Sequence, residues 1–152
     1  MGDLHLNQNG DLEVEASGDL KGVDNLEEDL QTLAFRIKTG PGELVLHPEV
    51  GAALAQLIGE PVTAETIARG EALILSAATS NGTFSPGEVS VRGVPMRSAE
   101  NSAPSVVAFV IEIVRGRQEA TFVVPFDFAL GRVVETPTYL EAVGENDYFG
   151  VL

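Results

Sequence analysis

The sequence has no cysteine and no tryptophan, and nine lysines and arginines stand against 23 acidic residues. Each shortage excludes something. Without cysteine there is no disulfide framework, no thiolate metal site and no cysteine nucleophile. The few cations are spread from Lys21 to Arg132 with no run among them, and the formal charge is −14. A phosphate-backbone surface needs clustered lysine and arginine, so nucleic acid is not an expected partner. No apolar run reaches the roughly 18 residues of a membrane span. The opening MGDLHLNQNGD has neither the basic nor the apolar part of a secretion signal, and Leu6 stands where an acylation signal needs Ser or Thr. The expectation is a soluble chain made in a cytoplasm, with no membrane partner.

What is present is apolar. Hydrophobic residues make up 44% of the 152 positions, enough for one core without staples. The first stretch alternates Leu4 and Leu6, then Leu12 and Val14, around Asn9-Gly10, which reads as an N-terminal β-hairpin with a turn that tolerates positive φ. Asp11, Glu13 and Glu15 then share one strand face; the spacing and terminal Glu of a calcium loop are missing, so a solvated face is expected. From Asp24 the period changes to that of a helix: Leu26, Leu30, Leu33 and Ile37 lie on one face. Asp24 and Glu27 make a capping pair, Glu28 and Asp29 add to the acidic start, and Arg36 and Lys38 stand at the end.

TGPGE ends that helix, and ELVLH (43–47) predicts a short strand. Pro48 suits the start of a second helix with Val50, Ala53, Leu54, Leu57 and Ile58 on its apolar side, stopped by Gly59 and Pro61. Thr63 caps a third helix, from Ala64 to about Ser80, which Gly70 weakens. Beyond GTFSPG the residues turn β-branched and aromatic: EVSVRGVPM, SVVAFVIEIV and EATFVVPFDFAL predict strands, the last two joined through RGRQ. The fold class expected is α+β: a mostly antiparallel sheet, about three helices packed on one face, and the N-terminal hairpin.

The middle strand is apolar on both sides. Val107, Phe109, Ile111 and Ile113 point one way; Val106, Ala108, Val110 and Val114 point the other, interrupted by Glu112. Such a strand must be covered on both faces, and three modest helices cover one. Val106, Ala108, Val110 and Val114 are therefore candidate partner-interface residues. The tail 135–152, set apart from a domain spanning 1–134, keeps Tyr139, Leu140, Tyr148, Phe149 and Leu152, which join them as candidates. Two readings of the tail stay open: it folds back on its own domain, or it docks on a neighbour.

Catalytic patterns are missing. No nucleophile elbow, zinc-binding HExxH helix or dinucleotide fingerprint occurs, and the Gly-Pro-Gly turn lacks the Lys-Ser/Thr pair of a phosphate loop. His5 and His47 have no ligand pattern beside them. Glu43, Glu49 and Glu71 could be combined into a glycosidase-like carboxylate pair, but with 23 acidic residues some pair is always at hand. The expectation is no enzyme, no cofactor and no metal, with a peptidoglycan-degrading muramidase as the alternative.

The opening GDLHLNQNGDLEVEASGD, followed by a helix running into LAFRIKTGPGELVLHPEVGAAL, resembles the baseplate wedge, or tail-sheath initiator, family of contractile phage tails and related injection machines, some members of which are labelled lysozyme-like. The matching features fall on Leu33, Ile37, Thr39, Gly42-Glu43, Pro48, Gly51 and Leu54, and the resemblance covers roughly residues 2–128. One motif departs: where many members carry Glu-Pro-Arg after the third helix, this chain has SAATSNGTFSPGEVSV, so no contact tied to that motif is carried over. The resemblance implies a small structural domain of the virion tail baseplate that is assembled in a host cytoplasm. There it would join baseplate to sheath and template sheath assembly by offering β-strand edges. It implies tail sheath protein, other wedge proteins and the tail tube or hub as partners, with six copies per particle.

Overall fold

The computed structural model describes residues 3–5, 11–23, 25–98, 101–133 and 140–142. Its centre is an antiparallel sheet of three long strands, β3 (Val89–Ser98), β4 (Asn101–Arg115) and β5 (Gln118–Asp127). Two short strands extend it, β6 (Arg132–Val133) beside β5 and β7 (Leu140–Ala142) beside β3, giving the order β6-β5-β4-β3-β7. A separate two-stranded sheet pairs β1 (Asp3–Leu4) with β2 (Gly22–Val23). The architecture is α+β, with two α-helices among the described residues: α1 (Asn25–Lys38) and α2 (Ala64–Thr79).

Alternation along β4 sorts its side chains between two cores. Val107, Phe109, Ile111 and Ile113 join Leu26, Leu33 and Ile37 of α1 and Ile74, Ala77 and Ala78 of α2 in the main core. The stripe on α1 follows from its 3.6-residue period, and Glu27 and Glu28 at its start and Arg36 and Lys38 at its end complement the helix dipole. Arg36 also fastens the two helices together. Its Nη1 donates to the carbonyls of Ala77 (3.3 Å) and Ser80 (3.0 Å), satisfying acceptors left open at the C-terminal end of α2. At the other end of α2, Thr63 accepts from Thr66 N–H while the Thr66 hydroxyl accepts from Thr63 N–H, a reciprocal capping box.

Gly70 has a role that helix propensity hides. A Cβ at Gly70 would collide with the Phe109 ring, and one at Gly93, directly opposite Phe109 in the β3–β4 register, would collide with Ile67 of α2. Two glycines, one on the helix and one on the strand, make room for the ring between them. The weakening of α2 expected from Gly70 is thus the condition for close helix–sheet packing.

Several expectations fail, each for a local reason. The three-helix layer is two α-helices and a short 3-10 turn, Leu54–Leu57. The predicted helix from Pro48 does not form because Gly51 (φ 135) and Ala53 (φ 53) take left-handed conformations that no α-helix accommodates. ELVLH is not a strand: among the described residues no strand pairs with it, and it forms the outer part of a turn-rich loop. The N-terminal hairpin closing at Asn9-Gly10 is also overturned. Asp3–Leu4 pairs with Gly22–Val23, and the described tight turn is Glu15–Asp19, where Glu15 N–H donates to Asp19 O (2.7 Å), Gly18 has φ 91 and Val14 bridges Leu20. Residues 6–10, which hold the predicted turn, lie outside the described residues.

Candidate functional site

The sequence nominates the second face of β4, and there the structure gives a correction. Val106, Ala108 and Val110 are 4%, 2% and 4% exposed. Ala108 and Val110 pack with Val94 of β3 and Val123 of β5 into a second small core, with Met96 against it. These three residues are interior positions of the single chain and offer no free surface. Val114, at the far end of the strand, is exposed. Leu140 belongs to β7, whose backbone pairs with β3 at Ser98, so this part of the tail adds to its own sheet. Tyr139, Tyr148, Phe149 and Leu152 lie outside the described residues.

The N-terminal layer shows the opposite arrangement. Three backbone segments meet there in a ring of hydrogen bonds: His5 N–H to Lys21 O (2.8 Å), Lys21 N–H to Glu13 O (2.9 Å) and Glu13 N–H to His5 O (3.4 Å). The side chains of the same residues converge. Lys21 Nζ and His5 Nδ1 lie 3.3 and 3.2 Å from Glu13 Oε2, and His5 Nε2 lies 3.3 Å from Glu27 Oε1 on α1. The Nδ1 contact is one of distance alone and makes no hydrogen bond. Gln31 of α1 donates to Leu4 O (3.0 Å) and ties the layer down. His5 and the Leu4 carbonyl therefore face the helix. By strand alternation the aliphatic residues go the other way: Leu12, Val14 and Leu20 are 49%, 62% and 48% exposed.

The two edges of the central sheet also differ. On β3, Gly93 N–H donates to Glu71 Oε1 of α2 (2.7 Å), and β7 pairs with Met96, Arg97 and Ser98. On β5, strand pairing among the described residues on the outer side is confined to Phe126 and Asp127, which meet β6. The exposed start of β5, around Gln118, Glu119 and Thr121, carries no outer strand among them.

A junction that sequence reasoning missed centres on Arg115. Its guanidinium bonds Asp29 of α1, Glu88 (3.3 Å) and the Thr83 carbonyl (2.7 Å), and lies 4.8 Å from the centroid of the Phe84 ring. The Ser85 N–H bond and Arg115 hold the Glu88 carboxyl below the usual carboxylate range, against a smaller opposing effect of desolvation, while the bond to Asp29 raises Arg115. The partners come from positions 29, 83, 84 and 88, so no local spacing could reveal them. A cleft of about 220 Å3 between the end of α1, the following loop and β6 is lined by Lys38, Thr39, Glu43 and Phe126 among others. Its Thr39 hydroxyl donates to the Phe35 carbonyl (2.8 Å). Among the described residues no group of three His, Asp or Glu side chains could hold a metal ion. His47 meets Glu49 (3.4 Å) with both largely in water. No family model, curated protein or solved structure matches the chain.

Proposed function

We propose that the chain is a non-enzymatic structural subunit of a contractile tail baseplate, joining baseplate to sheath and presenting β-structure that neighbouring subunits complete. The observation that carries this reading is the inverted N-terminal layer. His5 contacts Glu13 and Glu27 of α1 beside the Lys21–Glu13 ion pair, and the aliphatic residues Leu12, Val14 and Leu20 face water. A self-sufficient domain gains by the reverse arrangement; an apolar face left outside marks a surface meant to be covered by another protein. Strand addition takes its affinity from backbone hydrogen bonds and its register from alternating side chains. The start of β5 suits that role better than β3, where Glu71 already takes the Gly93 N–H. The sequence stretches that resemble the wedge family supply the tail context: sheath, other wedge proteins and the tube or hub as partners, and six copies per particle in the virion.

Mixing the purified chain with tail sheath protein tests the reading. The wild type is expected to bind sheath subunits and nucleate their polymerisation, while Leu12→Asp/Val14→Asp folds normally and fails to do so. Sheath assembly that ignores the chain, or clearing of a peptidoglycan suspension by catalytic amounts of it, rejects the proposal in favour of another partner or of muramidase activity.

A further inference from the structure

The loop between α1 and the 3-10 turn carries a second apolar surface, built differently from the N-terminal layer. Val45 and Leu46 at its tip are 90% and 87% exposed, further out than any other large hydrophobic residue described. Such exposure in a slack loop would mean little, but this loop is braced at its base. Gly42 N–H donates to Pro48 O (3.0 Å), Ala52 N–H to Arg36 O (3.1 Å) and His47 N–H to Leu44 O (3.1 Å). Gly51, at φ 135, passes so near the other strand of the loop that a Cβ would lie 2.6 Å from Thr39 O and 2.9 Å from Pro41 N. Turn bonds and a close backbone crossing hold two aliphatic side chains out in water, so less backbone freedom is left to lose on docking.

We infer that the Val45–Leu46 tip is a plug that inserts into an apolar socket bordered by lysine or arginine on a partner protein. Charge selects this occupant. Glu43 and Glu49 flank the tip and are exposed, and the chain as a whole carries −14. A basic rim complements that charge, whereas a second copy of this acidic chain or an anionic bilayer would oppose it. The inference goes beyond the tail reading and does not require it, because the loop lies outside the strand-forming elements.

Photo-crosslinking from the full chain in the cells that make its native assembly tests this, with benzoylphenylalanine placed at position 45 or 46 and, separately, at position 12. The expected result is a crosslink from 45 and 46 to a residue of a different protein, in an apolar recess with Lys or Arg at its border. Val45→Asp/Leu46→Asp should then weaken that pair about tenfold or more with an unchanged melting temperature, and Glu43→Gln/Glu49→Gln should reduce its sensitivity to salt. Crosslinks to lipid, to a second copy, or to a recess without basic residues overturn the inference, as does silence from 45 and 46 while position 12 crosslinks. The two proposals separate cleanly. A basic-rimmed socket on a protein unrelated to tails supports the plug and counts against the baseplate reading; sheath crosslinks from position 12 alone do the reverse.

Discussion

The central sheet and the N-terminal layer use the same two-residue alternation and point it in opposite directions. In β4, Val107, Phe109, Ile111 and Ile113 enter the main core, Ala108 and Val110 enter a second one, and Val106 is buried beside them in sequence, so this stretch is buried on both faces within the chain. In the N-terminal layer, His5 meets Glu27 of α1 and the aliphatic residues turn toward water. The contrast separates a part of the molecule whose apolar residues are buried within the chain from a part whose apolar residues face water.

Mutations that exploit this contrast should differ widely in cost. The largest loss is expected for Phe109→Ala, about 3–5 kcal/mol by chemical denaturation, because the ring fills the space kept open by Gly70 and Gly93. Next, Gly70→Ala should cost about 1–3 kcal/mol by overpacking that ring. Combining it with Phe109→Leu should recover part of the loss, a coupling that a double-mutant cycle measures. Arg115→Ala should cost about 1–2 kcal/mol, a figure kept low because the side chain is partly in water. At the small end, Leu12→Asp/Val14→Asp should move stability by no more than about 0.5 kcal/mol. A large loss there would mean that the N-terminal layer shares the core's role, and the contrast would fail.

Acid sharpens the same comparison at the Arg115 junction. The Glu88 carboxyl titrates below its ordinary range in the folded chain, so the unfolded chain binds its proton more readily. Its contribution is therefore present above the ordinary carboxylate range and is lost as pH falls through the lower, folded value. Thermal melts from neutral to acid pH should show Glu88→Gln losing less stability on acidification than the wild type.

Residue patterns made some of this legible and not the rest. The stripe Leu26, Leu33, Ile37 announced α1, Thr63 announced the start of α2, and the β-branched runs announced β3 to β5. ELVLH has the composition of a strand, yet pairing is a property of neighbours, and this segment has no strand beside it among the described residues. The helix expected after Pro48 has apolar residues at helical spacing, but the loop crossing at Gly51 and the left-handed Ala53 defeat it. For the candidate site the gap is wider. The helices account for one face, so Val106, Ala108 and Val110 read as uncovered; in the folded chain all three are buried, and Ala108 and Val110 cluster with Val94 and Val123 of the flanking strands.

Sequence by itself determined α1, the start of α2, the strands β3 to β5 and the need of the middle strand for cover on both sides. Those properties depend on spacing and composition, which act over a few residues. Only the tertiary structure decided that Val106 to Val110 are buried within the chain, that Phe109 rests between two glycines 23 positions apart, and that Val45, Leu46, Leu12 and Leu20 stay in water. Whether an apolar side chain is core or surface depends on which distant segments reach it, and alternation alone carries no sign for inside and outside.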